Sequence, residues 1–267
     1  MRSNNVLGFI FAATLDDKIP ELASSRTTAS VPIGGKYRII DFDLSNMSNS
    51  GISNVGIVAK SNFQSLMDHV GSGSAYDLSK RRSNLSILPP YDGKAFSSFV
   101  ETIYNMHGYI EHCREEYVLI SQGNVITNID YTDVFDFHSK KKADITLIYK
   151  NHAIPQGYDR PITLDVDNDG KVNQIFVKPG VVDKGVFNHA YGSILIKKDL
   201  LMSEIRNAIS VNQLDVKRLL QSSLGKYSIY AYENKGYCAA ISSINDYFEF
   251  NMDLMKKEVR DELFNPQ

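Results

Sequence analysis

Along most of this chain, short apolar runs alternate with stretches whose apolar positions recur every three or four residues. This is the pattern of β-strands feeding amphipathic helices around a mostly parallel sheet. Residues 6–12, 55–59, 117–121 and 143–149 read as buried strands, each a short run rich in Val, Ile, Leu or Phe. Residues 63–70, 103–116 and 132–141 read as helices between them. The last ends at Lys140, Lys141 and Lys142, cations placed where a helix dipole favours them. From residue 162 the texture turns β-rich: 162–166, 172–178, 192–196 and 227–232 alternate or run apolar, with helices predicted at 200–209 and 216–223. That half reads as an antiparallel extension of the same sheet. A final helix is predicted at 244–260, and 263–267 offer little to pack. No internal repeat or low-complexity segment interrupts the pattern.

Composition narrows the class. The chain has 267 residues, 43% apolar, 10% aromatic and 22% charged, which excludes disorder, collagen and coiled coil. A chain of this length buries roughly 70–75% of its unfolded surface and needs no covalent staples. Cys113 and Cys238 form no CxxC and no second pair, so neither a disulfide framework nor a zinc ribbon is available, and a reducing compartment is expected. With 29 Lys+Arg against 31 Asp+Glu, the net charge of −2 supplies no bulk field for nucleic acid or an anionic membrane. The longest apolar run, 6–13, falls well short of the ~20 residues that span a bilayer. It is expected to be the first buried strand and not a signal peptide.

Two clusters suggest metals and fail on spacing. Asp165, Asp167, Asp169 and Gly170 begin a calcium-loop pattern, but the twelfth position, where a bidentate Glu is needed, is Phe176. Asn-Asp-Gly is turn chemistry, so a polar hairpin is expected there. His107, Glu111, His112 and Cys113 share a predicted helix, yet the two histidines are five apart and face different sides. No metal site is expected from either cluster.

The informative stretch is Val31-Pro32-Ile33-Gly34-Gly35-Lys36-Tyr37-Arg38-Ile39-Ile40-Asp41-Phe42-Asp43-Leu44-Ser45-Asn46, followed by Asn49-Ser50-Gly51-Ile52. By local rules it is a glycine turn, a buried segment and a short helix closed by Gly51 at C′. Its residues closely resemble the ADP-glucose pyrophosphorylase family, which makes a glucosyl donor from glucose-1-phosphate and ATP. Gly73-Ser74-Ala75-Tyr76-Asp77-Leu78 is similar to the family's GSAWDL segment, and Ile87-Leu88-Pro89-Pro90-Tyr91 to its LPPY segment. Lys178-Pro179 resembles the end of its EKP motif, and Asn251-Met252-Asp253-Leu254 its NMDL helix. The resemblance implies a Rossmann-like nucleotidyltransferase fold: a mixed, mostly parallel central sheet with an antiparallel extension. It also implies one such domain over residues 1–267, without the left-handed β-helix domain that follows it in the family.

The same resemblance locates departures, and they fall on the chemistry. Active members carry a GGxGxRL loop after the first strand, where glycines let backbone N–H groups reach the triphosphate. Here that loop reads Ala13-Thr14-Leu15-Asp16-Asp17-Lys18-Ile19, with no glycine between residues 9 and 33. Asp16 and Asp17 stand where a polyanion would sit, each repelling by ~1 kcal/mol per charge even in water at about 4 Å. Lys18, in the arginine position, keeps a favourable sign. The segment that would supply an Asp to Mg²⁺ reads Gln122-Gly123-Asn124-Val125, and the second metal carboxylate position is Ala240. Thr28 replaces a lysine, Ser98-Phe99-Val100 a base-side Gly-Thr-Ala segment, and Val177 the Glu before Lys178. Lys36, Arg38 and Lys178 remain as the cations that could hold a sugar phosphate or an effector.

Kept scaffold with altered chemistry resembles the non-catalytic, GlgD-type subunit of bacterial ADP-glucose pyrophosphorylase. On that resemblance the expectation is a catalytically degenerate regulatory subunit of glycogen synthesis, with no catalytic residue and no resident metal or cofactor. Its expected partner is a catalytic ADP-glucose pyrophosphorylase subunit in a cytoplasmic hetero-oligomer, with a sugar-phosphate effector as a further ligand. Two alternatives stay open. One is a divergent but active glucose-1-phosphate adenylyltransferase that holds Mg²⁺ through Asn124 and a carboxylate such as Asp130, with Lys18 on the phosphates. The other is a module that senses a sugar phosphate through Lys178, Lys36 and Arg38.

Overall fold

The computed structural model describes residues 3–13, 16–60, 62–79, 84–89, 98–153, 161–177 and 185–264. In chain order its strands are β1 (Val6–Phe11), β2 (Pro32–Ile33), β3 (Tyr37–Arg38), β4 (Asn54–Val58), β5 (Asn84–Leu88), β6 (Tyr117–Ser121), β7 (Val125–Thr127), β8 (Ile145–Ala153), β9 (Ile162–Val166), β10 (Val172–Val177), β11 (Val186–Lys197), β12 (Ile229–Glu233) and β13 (Cys238–Ala240). Its helices are α1 (Pro20–Ala23), α2 (Ile39–Asn49), α3 (Gln64–Val70), α4 (Phe99–Asn105), α5 (His107–His112), α6 (Tyr131–Lys141), α7 (Lys198–Ser210), α8 (Val216–Ser223), α9 (Ile244–Asp253) and α10 (Lys257–Phe264). Contacts divide the chain into two compact units, one of Met1–Leu7, Tyr91–Leu119 and Asp133–Glu233, the other of Gly8–Pro90, Ile120–Thr132 and Asn234–Gln267.

In the first unit the strand path is β10-β9-β11-β6, and β8 joins both β11 and β12. β8–β11, β9–β11 and β9–β10 are antiparallel. β12 corrects the expectation for 227–232: it pairs parallel with β8, Ile229 opposite Ile145 and Glu233 opposite Tyr149. β8 lies between β11 and β12, so β12, parallel to β8, runs antiparallel to β11, and α7 and α8 carry the chain from one side of β8 to the other. The Asp165–Gly170 run is a hairpin turn, as expected. Asp167 accepts hydrogen bonds from the backbone N–H groups of Asp169 and Lys171 at 2.9 Å, the turn chemistry of an aspartate.

The second unit carries the path β6-β1-β4-β5, with β4 and β5 parallel, and the small antiparallel pairs β7–β13 and β2–β3. α2 is buried on nearly every side, from Ile39 to Leu44 and at Asn46 and Met47. Its end obeys the sequence rule. Gly51 adopts φ +80°, its N–H bonds Ser48 O at 2.9 Å, and the Ile52 N–H bonds Met47 O at 2.9 Å, so the last carbonyls are satisfied through a left-handed glycine.

Two predicted helices prove to be pairs. The 103–116 stretch breaks at Met106 between α4 and α5, and the 244–260 stretch breaks between α9 and α10. α10 also corrects the expectation that the chain end has little to pack. Val259 and Leu263 join a buried cluster with Val31, Ile33, Ile39, Phe42, Ile126, Ile241 and Phe250. Among the described residues no helix is long and apolar enough to cross a membrane.

Candidate functional site

Ala13, Thr28, Asn124 and Ala240, four of the positions singled out from sequence, come together in the second unit around the end of β1. Three backbone contacts bring them there. The Ala29 N–H bonds Ala12 O at 3.1 Å, so the short turn at Thr28–Ser30 lies against the residue before Ala13. A Cβ on Gly123 would lie 2.6 Å from the Phe11 carbonyl oxygen, so the turn after β6 can approach β1 only with glycine, here at φ +65°. The third contact joins Asn124 to Ile241. The Ile241 N–H donates to Asn124 O at 2.9 Å, and the Asn124 Nδ2 donates to Ile241 O at 3.2 Å. In the β7–β13 register Ala240 faces Val125. Asn124 and Ala240 are thus neighbours across the β7–β13 pair, one register step apart.

Ala13 is buried, and Thr14 lies outside the described residues. Asp16 takes up the donors of the neighbouring turn with its own carboxylate. Its Oδ1 accepts from both the Thr28 N–H and the Thr28 Oγ1, each at 2.7 Å. Burial raises the Asp16 carboxyl above its ordinary range, opposed by the two Thr28 hydrogen bonds and the positive charge of Lys60. Thr28 itself is fully buried, and Lys18 is exposed.

A divalent cation does not fit these residues. Mg²⁺ prefers about six oxygens, with carboxylates supplying charge. At Asn124 it would find one neutral oxygen, the Oδ1, buried without a hydrogen-bond partner among the described residues. Ala240 offers no donor. No group of three or more His, Cys, Asp or Glu able to hold a metal ion occurs among the described residues. Asp130 is committed locally: its Oδ1 accepts from the N–H and Oγ1 of Thr132, both at 2.8 Å, at the start of α6.

Of the three retained cations, Lys36 and Arg38 lie among the described residues. Arg38 works within the scaffold, its Nη1 reaching the Ser30 carbonyl at 3.2 Å and the Ser65 carbonyl at 2.7 Å, with a further bond to Ser65 Oγ. Lys36 is exposed, its ammonium 5.0 Å from the Tyr37 ring centroid. Lys178 lies outside the described residues.

Two buried acids in the motif were not singled out from sequence. Asp41 Oδ2 accepts from the Arg38 N–H at 2.8 Å, and its Oδ1 accepts from Tyr76 Oη at 2.5 Å and meets His69 Nε2 at 2.6 Å. This ties the IIDF helix to α3 and to the GSAY segment. Asp43 is fully buried; among the described residues it has one donor, Ser121 Oγ at 2.7 Å, and its Oδ2 has no partner. Burial pushes its carboxyl up to about 7. The sequence carried no signal for this: six of the eleven residues of α2 are polar, and only the packing around the helix buries its two acids.

Comparison with known proteins agrees with this arrangement. The nucleotidyl transferase family profile matches residues 17–256. A glucose-1-phosphate adenylyltransferase of Clostridium acetobutylicum is 30% identical over 277 aligned residues, covering all of this chain and 72% of that protein. The chain belongs to the glucose-1-phosphate adenylyltransferase family. A second member, from Bacillus subtilis, is 31% identical, covering 97% of this chain and 69% of its own length. A crystal structure of a Bacillus anthracis protein assigned as a glucose-1-phosphate thymidylyltransferase superposes with a TM-score of 0.75 at 12% identity, covering 98% of each chain. At that identity the likeness shows the fold alone, the Rossmann-like fold of nucleotide-sugar transferases. Membership in the family makes its departures at Asp16, Asn124 and Ala240 the features to explain.

Proposed function

We propose that this chain is a catalytically degenerate, regulatory member of the glucose-1-phosphate adenylyltransferase family, acting on a catalytic partner subunit that makes ADP-glucose for glycogen. One observation carries the reading. Asn124 and Ala240, the two positions that the resemblance assigns to metal carboxylates, are neighbours through the β7–β13 pair, and neither carries a charge. Nucleotidyl transfer depends on positioning and on neutralising phosphate charge by metal and cations, so this loss alone removes several powers of ten in rate. The Asp16 carboxylate adds to it by occupying the Thr28 donors and repelling a polyphosphate. The commitment of Asp130 to Thr132 argues against a rebuilt metal site.

Regulation in a cytoplasmic hetero-oligomer then means coupling: this subunit stabilises one state of its partner and so shifts rate or effector response. Exposed Lys36 supports a second, narrower reading, a sugar-phosphate effector held by this chain. The test is ADP-glucose synthesis from ATP, Mg²⁺ and glucose-1-phosphate by this protein alone, by a catalytic relative alone and by the mixture. No product from this chain alone and an altered rate or effector response in the mixture is expected. Mg²⁺-dependent turnover by this chain alone, lost in Asn124→Ala, would refute the proposal.

A further inference from the structure

On one face of the first unit's sheet, three side chains bring their polar atoms together. In the antiparallel register of β8 and β11, Phe187 pairs with His152 and His189 with Lys150, so the two histidines are diagonal neighbours on adjacent strands, within reach of each other's rings. His152 Nε2 lies 3.3 Å from His189 Nδ1. Tyr191, two residues further along β11, lies against the His189 ring with centroids 4.7 Å apart, and its Oη is 2.7 Å from the same His152 Nε2. His189 and Tyr191 are buried, and His152 is half-buried. An imidazole nitrogen carries either one proton or one lone pair, so His152 Nε2 makes one strong hydrogen bond at a time and not two. A metal ion would meet all three atoms at once.

We propose that His152 Nε2, His189 Nδ1 and Tyr191 Oη form a site for a transition-metal ion of the Zn²⁺ class, with water as the fourth ligand. The spacing carries it. Two ligand atoms on a tetrahedral ion with bonds of about 2.0–2.1 Å stand about 3.3–3.4 Å apart, and the two ring nitrogens are 3.3 Å apart. The Tyr191 hydroxyl, now at hydrogen-bond distance, moves out by about 0.6 Å to the third position and releases its proton to solvent as it ligates. The donor set selects the ion. Imidazole suits Zn²⁺ and its neighbours, whereas Mg²⁺ and Ca²⁺ take oxygen ligands, and no carboxylate is among these three donors. Both rings are in the ligating form. Burial and then the ammonium of Lys150 lower His152, while burial, His152 and Lys217 lower His189 to about 3, so both are neutral near pH 7 and no proton competes with the metal. The same ammonium groups oppose a further positive charge, which sets the affinity below that of a closed structural zinc site. The site lies within the first unit and is independent of the regulatory reading above.

Titration of the whole metal-free chain with ZnCl₂ near neutral pH, followed by calorimetry and by melting temperature, tests it, with CoCl₂ as a coloured stand-in. The wild type is expected to bind one equivalent of Zn²⁺, to melt higher with it, and to give with Co²⁺ the intense visible bands of a four-coordinate ion. His152→Ala is expected to weaken binding at least tenfold and to abolish the Zn²⁺-dependent rise in melting temperature. Tyr191→Phe keeps the buried ring and so the fold, and is expected to weaken binding by a smaller factor. His112→Ala and Cys113→Ser, which remove an exposed imidazole and a thiol elsewhere in the same unit, are expected to bind as the wild type does. A wild type whose melting temperature ignores ZnCl₂, binding that survives His152→Ala, binding unchanged in Tyr191→Phe, or binding lost with Cys113→Ser would each overturn the proposal.

Discussion

In the unit built on β8–β12 two deeply buried ionisable groups are imidazoles; in the unit that carries the candidate site one is a carboxyl with a single donor among the described residues. His138 is buried with Nδ1 2.8 Å from Thr146 Oγ1, and His189 is buried against His152 with ring nitrogens 3.3 Å apart. Burial lowers His138 to about 4 and His189 to about 3, because an imidazolium loses its hydration there. Asp43 loses hydration in the same way and moves the other way, up to about 7. One physical cause, desolvation of the charged form, gives the two units opposite responses to pH.

The largest expected effect in the unit that carries the candidate site follows from Asp43. Its folded value lies above the unfolded one of about 4, so between those values the native state binds the extra proton. Stability contributed by this group is then full below about pH 4 and is lost as pH rises to about 7, on the order of 4 kcal/mol in all. Chemical denaturation of Asp43→Asn across pH 4–8 should show that slope removed, and a slope identical to the wild type's would break the comparison.

His138 and His189 run in the reverse direction. Their folded values lie below the unfolded 6.5, so the unfolded chain binds more protons and stability falls as pH drops from about 6.5 towards 4 and then 3. On these values His138 contributes about 3 kcal/mol and His189 about 5 kcal/mol. Hydrogen exchange, corrected for its intrinsic pH dependence, should show β8 and β11 amides losing protection on acidification while those of α2 gain it. Parallel behaviour in both units would argue that the groups are not desolvated as described.

Gly123→Ala probes the second unit through packing and not charge. Its Cβ would meet the Phe11 carbonyl in a left-handed backbone, so a loss of about 3 kcal/mol is expected in urea denaturation. The smallest effect is assigned to the first unit's surface. Arg206, ion-paired with Glu111 across α7 and α5, is largely exposed. Arg206→Ala should cost under about 1 kcal/mol, with the difference vanishing in high salt.

Much of the architecture was legible where a local rule and the tertiary fold ask for the same thing. α8 falls at 216–223 as its periodicity predicts, Gly51 closes α2, and the Asp167 turn closes a hairpin. The misses share a cause. The breaks at Met106 and around Leu254 interrupt stretches whose apolar period continues across them, because the partner surface and not the period decides where a helix bends. β12 alternates like an edge strand, and nothing in alternation tells parallel from antiparallel.

For the site, the sequence by itself determined which side chains are available: neither Ala240 nor Asn124 carries a charge, and folding cannot supply one. It also determined the family, since the GGKYRIIDF run and its companions are ordered along the chain. Only the tertiary structure decided that Asn124 and Ala240, far apart in sequence, are neighbours through the β7–β13 pair. It alone decided that Asp16 is held by Thr28, that Arg38 serves the scaffold, and that Asp43 has a single donor among the described residues. Those facts concern distance and desolvation, which depend on what packs against a residue and not on what precedes it in the chain.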